Sequence, residues 1–265
     1  MMKTTKRSTL SLAGALFAAS LSLMACDDDD NWRGRTVHTT AELHDTLNHN
    51  GSAQIPSGTQ LVLNGQMTVQ AGETLLVSEG ARIDGDGKLN VNGTLVVEGW
   101  ADLDRVSLNS GAVIRNDGNL DVDHIDLNGG RLENAGVFNL DNLHVNGGSS
   151  VENTGSLTFD KLTLNGGTFT NLGVVIVTDN LTMNGGSHID NGHPSFMGNP
   201  TFTVADRLLM NGGLIWNAAN GTINLTHVTM NGGSEIDNSA GGVVTVHALG
   251  SCNIQNGTVK NWQCP

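Results

Sequence analysis

The chain has 265 residues, a formal net charge of −13 and 15% charged residues. This acidic balance argues against nucleic acid and anionic lipid as partners bound by charge, because both are negatively charged themselves. Glycine is abundant, with 35 residues, and tyrosine is absent. A chain this rich in glycine is poor in helix formers, but it is long enough to bury a large core.

The first 25 residues have the organisation of a secretion signal. Lys3, Lys6 and Arg7 form a basic start, and residues 10–24 are uncharged and mostly apolar or small. This apolar stretch is too short, and too often interrupted by Ser and Gly, to span a membrane. Residues 1–25 are therefore interpreted as a signal peptide and excluded from the fold.

Residues 23–26, Leu-Met-Ala-Cys, resemble the lipobox of bacterial lipoproteins. The resemblance implies that the signal peptide is cut before Cys26, and that Cys26 carries diacylglycerol and an N-acyl chain such as palmitate. Several acyl chains anchor a protein stably, whereas a single chain gives marginal binding. The expected localisation is the cell envelope, with the membrane as a partner through the lipid anchor.

Residues 26–35 predict an acidic tether between the anchor and the fold. The four carboxylates of Asp27–Asp30 repel one another and do not pack, so this segment is solvated. An Asp directly after the lipidated Cys resembles the inner-membrane retention signal of enterobacterial lipoproteins, whereas acidic tethers in other lineages accompany surface export. Both alternatives stay open. Loss of the three basic residues of the signal changes the formal net charge from −13 to −16.

Residues 36–56 predict an N-terminal helical cap. Their pattern is helix-like, and Thr39 with Glu42 fits a capping box. An Ile-Pro-x-Gly-Thr strand follows at residues 55–59. This order resembles the N-terminal start of right-handed parallel β-helices in the pectin-lyase-like superfamily, which contains many polysaccharide lyases and hydrolases. The resemblance implies that architecture for roughly residues 36–255.

Residues 57–250 contain internal repeats of about 19 residues, which are the main signal of the sequence. The motif Asn-Gly-Gly recurs at Asn128, Asn146, Asn165, Asn184, Asn211 and Asn231. A second asparagine column runs beside the first, at Asn116, Asn134, Asn153, Asn171, Asn191, Asn217 and Asn238. An acidic column lies five residues before the first asparagine of successive repeats, at Asp104, Asp123, Asp141, Asp160, Asp179 and Asp206.

Apolar and polar residues alternate between these columns, as in residues 157–159 (Leu-Thr-Phe) and 162–164 (Leu-Thr-Leu). A period of two predicts strands with one buried face. Each repeat has room for two clear strands and a weaker third, so the predicted fold is all-β: a single-stranded parallel β-helix, or β-solenoid. About ten stacked coils give a rod on the order of 45–50 Å long. The corner asparagines are predicted to form ladders that satisfy polar groups buried at the turns.

One coil of 27 residues breaks the repeat, with an insertion near residues 191–203. The candidate site in this coil comprises His188, Asp190, His193, Asp206 and Arg207. If these side chains gather, two carboxylates with a histidine would suit acid–base chemistry or a metal ion. The alternative is a tolerated surface loop. The chain shows no P-loop, nucleophile elbow, zinc-ligand spacing or dinucleotide fingerprint, so no catalytic residue and no cofactor are predicted.

The remaining polar columns are interpreted as structural or solvated. The acidic column fits turn residues that accept hydrogen bonds from local backbone. The position after it holds a variable polar row that includes Arg105 and His124. Three outward threonines, Thr163, Thr182 and Thr229, are too few for an ice-binding array. The four tryptophans are scattered along the chain and predict no sugar-stacking platform.

Residues 251–265 predict a C-terminal cap, because the repeat pattern fades before them. Cys252 and Cys264 are the cysteines that remain besides Cys26, and export to an oxidising compartment predicts a disulfide between them. The alternative is a pair of free thiols. Trp262 is predicted to cover apolar side chains at this end of the rod.

The expected function is non-catalytic. A rigid β-helix on a lipid anchor would serve as a surface for adhesion, scaffolding or glycan contact, with a polysaccharide or an envelope protein as partner. The alternative is a carbohydrate-active enzyme, a lyase or hydrolase, of the pectin-lyase-like type. A cluster of ionisable side chains on one sheet, beside a groove, would favour the enzyme.

Overall fold

The computed structural model describes residues 37–264 and confirms the predicted fold class. The chain winds into a parallel β-solenoid of about eleven coils, built from two sheets of 11 strands each. Strands pair with the equivalent strands of the coils before and after them, so hydrogen bonds join coil to coil along the rod. The signal peptide, Cys26 and the acidic tether lie outside the described residues.

One sheet consists of short strands and forms the surface that we call face 1. Its strands are β1 (Ser52–Ile55), β4 (Thr74–Val77), β6 (Thr94–Val97), β8 (Val113–Asn116), β10 (Arg131–Asn134), β12 (Ser150–Asn153), β14 (Thr168–Asn171), β16 (His188–Asn191), β18 (Gly213–Asn217), β20 (Ser234–Asp237) and β22 (Thr258–Lys260). In most of them the second and fourth residues are buried. This sheet contains the strand that the sequence predicts as the weaker third of each coil.

The other sheet consists mostly of long strands. They are β2 (Gln60–Val62), β3 (Gln66–Val69), β5 (Arg82–Val91), β7 (Trp100–Leu108), β9 (Asn119–Leu127), β11 (Val137–Asn146), β13 (Ser156–Asn165), β15 (Val174–Asn184), β17 (Thr201–Asn211), β19 (Thr222–Met230) and β21 (Val243–Ile254).

Each long strand supplies two sides of the coil, because its pairing is interrupted near the middle. In β9, residues Asn119–Val122 and His124–Leu127 pair with β11, whereas Asp123 between them does not. We call the first half of these strands face 2 and the second half face 3. The two clear strands that the sequence predicts in each repeat are therefore one strand interrupted at the acidic column.

The core lies inside the coils and is filled by the inward side chains of all three faces. Burial alternates along each strand half, which is the pattern that the period of two predicts. Most core residues are Leu, Val and Ile, and three phenylalanines stack through successive coils. Phe169 packs edge-to-face between Phe159 and Phe202, with ring centroids 6.2 and 5.9 Å apart.

The asparagines of Asn-Gly-Gly form a ladder at the surface of the rod. Asn146 Nδ2 donates to Asn128 Oδ1 at 2.8 Å, and Asn165 Nδ2 donates to Asn146 Oδ1 at 3.1 Å. The same bond continues through Asn184, Asn211 and Asn231. The sequence predicts that such a ladder satisfies polar groups buried at the turns. The side chains of this column are exposed or half-buried, so the prediction is wrong for this ladder.

The second asparagine column forms the buried ladder. Asn153 Nδ2 donates to Asn171 Oδ1 at 2.9 Å, and each asparagine from Asn116 to Asn217 makes the same bond to its successor. The ladder begins at Asn116, whose Oδ1 is buried without a partner because Val97 occupies the equivalent place one coil earlier. The turns that lead from face 1 to face 2 are therefore held from inside.

Helix α1 (Thr40–Asn50) covers the N-terminal end of the rod and confirms the predicted helical cap. The predicted capping box is present: the Glu42 amide donates to Thr39 Oγ1 at 3.2 Å, and the Thr39 amide donates to Glu42 Oε2 at 3.2 Å. Leu43 and Leu47 extend from the helix into the core. Among residues 37–264 no helix is long and apolar enough to cross a membrane.

The C-terminal residues continue the solenoid past the expected boundary at residue 250. β21 pairs with β19 through Ser251–Ile254, and β22 pairs with β20. Cys252 and Cys264 form a disulfide, with their Cα atoms 5.9 Å apart. Trp262 packs, partly buried, against the hydrophobic core. The tail thus forms the last coil, and the disulfide closes it.

Candidate functional site

The structure brings together two of the five residues of the expected cluster. His188 and Asp190 lie on face 1 in β16, with His188 Nε2 2.7 Å from Asp190 Oδ1. Asp206 and Arg207 lie in β17, near the interruption between faces 2 and 3. His193 lies in the inserted loop, where its Nδ1 accepts a hydrogen bond from the Ser195 amide at 3.2 Å. The face 2 half of β17 separates the first pair from the second.

The insertion forms a loop of residues 192–200 between β16 and β17, at the corner of faces 1 and 2. The Phe196 amide donates to the His193 carbonyl at 2.9 Å. Asn220 of the next coil donates to the carbonyl oxygen of Phe196 at 2.9 Å and also to that of Gly198. These contacts fix the backbone of the loop on the rod.

Carboxylates crowd together where faces 2 and 3 meet. Burial raises the pKa of Asp123, and a hydrogen bond with Asp104 and the charge of Asp141 raise this pKa further. Burial also raises the pKa of Asp121 on face 2, with added repulsion from Asp102 and Asp141. The repulsion among these neighbouring aspartates reflects a concentration of negative charge on this side of the rod.

Face 2 carries almost all of the large exposed apolar side chains of the described residues. They are Val62, Trp100, Val137, Val174, Ile176 and Val243, and they are between 37% and 55% exposed. The one exception is Met197, in the inserted loop. Trp100, Val137, Val174 and Val243 occupy the same register position in different coils, so they form a broken line along the rod.

Trp100 borders an open concavity on face 2. The concavity has a volume of about 290 Å³ and is lined by Trp100, Asn119, Leu120, Asp121 and Asn139. On the side toward β5, the Arg82 guanidinium carbon lies 3.8 Å from the centroid of the Trp100 ring. The register places the other lining residues in β9 and β11, on the opposite side of Trp100. An aromatic ring thus stands at one edge of a concavity whose other lining residues include one aspartate and two asparagines.

Face 3 brings together three side chains of types that ligate metals. His124 and Asp126 lie in β9, and His144 lies opposite Asp126 in β11. Their ligand atoms all lie within 4.8 Å of one another.

Sequence reasoning missed both of these surface features. In sequence Trp100 is one of four scattered tryptophans, but in the structure it shares a register column with three exposed valines. The repeat spacing could have shown this column, because residues 100, 119 and 137 occupy equivalent places in successive coils. The same alignment places His144 opposite Asp126.

The fold and its surface define a parallel β-solenoid with one partly apolar side. Comparisons with protein-family models, curated proteins and solved structures found no match to this chain.

Proposed function

We propose that this chain is a non-catalytic cell-envelope lipoprotein whose face 2 contacts a glycan. One observation supports this function above the others: the exposed apolar side chains gather on face 2, where Trp100 borders a concavity. Exposed apolar residues that gather on one side of a protein are typical of a surface that binds a ligand or another macromolecule. The proposal includes the right-handed winding of the pectin-lyase-like superfamily, together with lipidation of Cys26.

Sugar rings suit this surface because they have apolar C–H faces and hydroxyl groups at their edges. The Arg82 guanidinium covers one side of the Trp100 ring, which is 44% exposed, so the other side is the flat apolar surface offered to a sugar. Asn119, Asp121 and Asn139 offer hydrogen-bond partners beside it. Trp100 and the other residues that line the concavity belong to a hydrogen-bonded sheet, so their backbone loses little conformational entropy when a ligand binds. The exposed valines farther along face 2 extend the contact to further sugar units of the same glycan.

Charge selects among glycans. Asp102 and Asp121 lie in register on face 2, and their mutual repulsion contributes to the raised pKa of Asp121. Arg82, the cation beside Trp100, already pairs with Asp84 at 2.7 Å and with Asp102 at 3.3 Å, so it is not free to bind a carboxylate of a ligand. A polymer of uronic acids would therefore meet the charge of Asp121 and be repelled. A neutral polysaccharide avoids this penalty, so we propose a neutral glycan as the ligand.

Replacing Trp100 by Ala is expected to weaken binding to a neutral polysaccharide at least tenfold, or by about 1.4 kcal/mol, because buried aromatic anchors dominate such contacts. Affinity electrophoresis of the full chain, in native gels with a mild detergent and a soluble neutral β-glucan, measures the binding. Parallel gels contain polygalacturonate. We expect retardation by the β-glucan and none by polygalacturonate. Trp216→Ala is the matched control, because Trp216 lies on face 1.

Equal retardation of the Trp100→Ala and wild-type chains would contradict the proposal, and so would retardation by polygalacturonate alone. The second candidate function, a pectin-lyase-like lyase or hydrolase, is favoured by the raised pKa of Asp121 beside the concavity, since perturbed carboxyl groups cluster at catalytic sites. Release of reducing ends or unsaturated products from either polymer, abolished in Asp121→Asn, would favour the enzyme.

The proposed anchor is tested at Cys26, which lies outside the described residues. Cells expressing the wild-type chain should incorporate radioactive palmitate into it, and the chain should partition into the detergent phase. Cys26→Ala is expected to lose both properties, because the thiol that carries diacylglycerol is gone. Cys252→Ser, which changes a cysteine far from the lipobox, should keep them. Palmitate in the Cys26→Ala chain would overturn the lipoprotein assignment.

A further inference from the structure

Three side chains on face 3 have an arrangement that the proposed glycan contact does not use. His124 and Asp126 are two residues apart in β9, so both point to the same side of the sheet. His144 of β11 lies directly opposite Asp126 in the parallel register. All three side chains are half-buried. Two strands in the interior of a long sheet therefore hold all three groups on a rigid surface.

The two distances from Asp126 to the histidines are close to those within a coordination shell. Asp126 Oδ1 lies 3.1 Å from His124 Nε2 and 3.0 Å from His144 Nδ1. The two imidazole rings are edge-to-face, with centroids 4.9 Å apart. A tetrahedral zinc ion with bonds of about 2.0 Å sets its ligand atoms about 3.3 Å apart. Small rotations of these side chains would place all three atoms around one ion.

The repeat alone does not produce this group. The position of His124 holds Lys88, Arg105, Asn142, Lys161, Asn180, Arg207 and His227 in other coils. The position shared by Asp126 and His144 holds Asn90, Ser107, Thr163, Thr182, Leu209 and Thr229 in other coils. Within the part of the chain that the structure describes, this is the one place where three His, Cys, Asp or Glu side chains converge with ligand spacing.

We propose that His124, Asp126 and His144 bind a divalent transition-metal ion of the Zn²⁺ type. Two imidazoles and a carboxylate suit zinc and its neighbours in the first transition row, whereas Ca²⁺ and Mg²⁺ prefer ligand sets made of oxygen alone. Three protein ligands leave a coordination position open toward solvent. Water, or a donor atom from a molecule at the surface of the rod, would fill it.

A bound metal ion would replace the hydrogen bonds between Asp126 and the two histidines. Without a metal, Asp126 Oδ1 lies within hydrogen-bond distance of a nitrogen from each imidazole, so each ring can donate a proton to this oxygen. A bound ion takes the place of those protons, and each neutral imidazole then carries its proton on its other ring nitrogen. The carboxylates where faces 2 and 3 meet, Asp123 and Asp141 among them, add a negative field that attracts cations.

Isothermal titration with Zn²⁺ tests the site. The full chain is used in mild detergent, without a polyhistidine tag and without reductant. We expect one zinc ion per chain, and affinity at least tenfold lower in His144→Ala and in His124→Ala. His144→Gln is expected to lose binding as well, although its amide can still donate to Asp126 and preserve the fold. Ca²⁺ should give no binding.

The matched control is His188→Ala. His188 and Asp190 form a similar histidine–aspartate pair on face 1, and the described residues place no third ligand-type side chain beside it. The variant should therefore bind zinc as tightly as the wild type. Absence of zinc binding to the wild type, or equal affinity in the wild type and His144→Gln, would overturn the proposal. Circular dichroism of each variant establishes that a loss of binding is not a loss of fold.

Discussion

The Asn153→Ala variant is expected to have a free energy of unfolding about 4 kcal/mol below that of the wild type. Asn153 is fully buried, and its Nδ2 donates to Asn171 Oδ1 and to two backbone carbonyl oxygens. Its Oδ1 accepts from Asn134 Nδ2. Alanine removes these bonds and leaves several partners buried without a replacement, at about 1–3 kcal/mol each, with losses that are less than additive. Urea denaturation followed by circular dichroism measures the change.

Asn165→Ala is the control for this experiment, because Asn165 occupies the exposed ladder of a neighbouring turn. Its Nδ2 donates to Asn146 Oδ1 at 3.1 Å, and water can replace that bond at the surface. The expected loss is under about 1 kcal/mol. Equal losses for Asn153→Ala and Asn165→Ala would contradict the distinction between a buried and an exposed ladder.

The sequence contains the information that separates the two ladders. Inward and outward side chains alternate along a strand, so residues two apart share a side. Asn153 lies two residues after the buried Val151 and has its phase, whereas Asn165 directly follows the buried Leu164 and has the opposite phase. Counting both asparagine columns predicts two ladders, but only the phase of the alternation identifies the buried one.

The coil architecture was predictable because successive repeats share the same motif and the same alternation of apolar and polar residues. Six Asn-Gly-Gly motifs and two strands of alternating residues indicate a solenoid without any knowledge of the pairing. The interruption within the long strands was harder to recognise, because the Asp at that point looks like a turn residue. In the structure the chain stays extended on both sides of Asp123, and the pairing with β11 resumes one residue later. Local composition alone does not distinguish a bend from a turn.

The two surface sites were missed for a different reason. The ligands of the proposed metal site are 2 and 18 residues apart in sequence, and the second spacing is one turn of this particular solenoid. No fixed sequence motif has such a spacing, so a motif search passes over it. Trp100 and Val174 on face 2 are likewise far apart in sequence and share a column only after the intervening coils are aligned. Sites on a solenoid surface become visible once the exact coil lengths are known.

Gly155→Ala is expected to lower the free energy of unfolding by about 3 kcal/mol or more, because a methyl group has no room at this turn. A Cβ atom on Gly155 would lie 2.2 Å from the Gly136 carbonyl oxygen and 2.6 Å from the Ala135 carbonyl carbon. Both are backbone atoms of the previous coil, so the clash can be relieved only by separating two hydrogen-bonded coils. Overpacking of this kind lies at the costly end of the range for small-to-large substitutions.

The matched control is Gly147→Ala, eight residues earlier, where the nearest atom to a new Cβ is the Asn165 carbonyl oxygen at 3.8 Å. There alanine fits, and reduced entropy of the unfolded chain should leave stability unchanged or raise it by up to about 1 kcal/mol. Urea denaturation midpoints for the two variants should therefore move far apart, and a shared midpoint would show that the coils do not approach as closely as this turn requires.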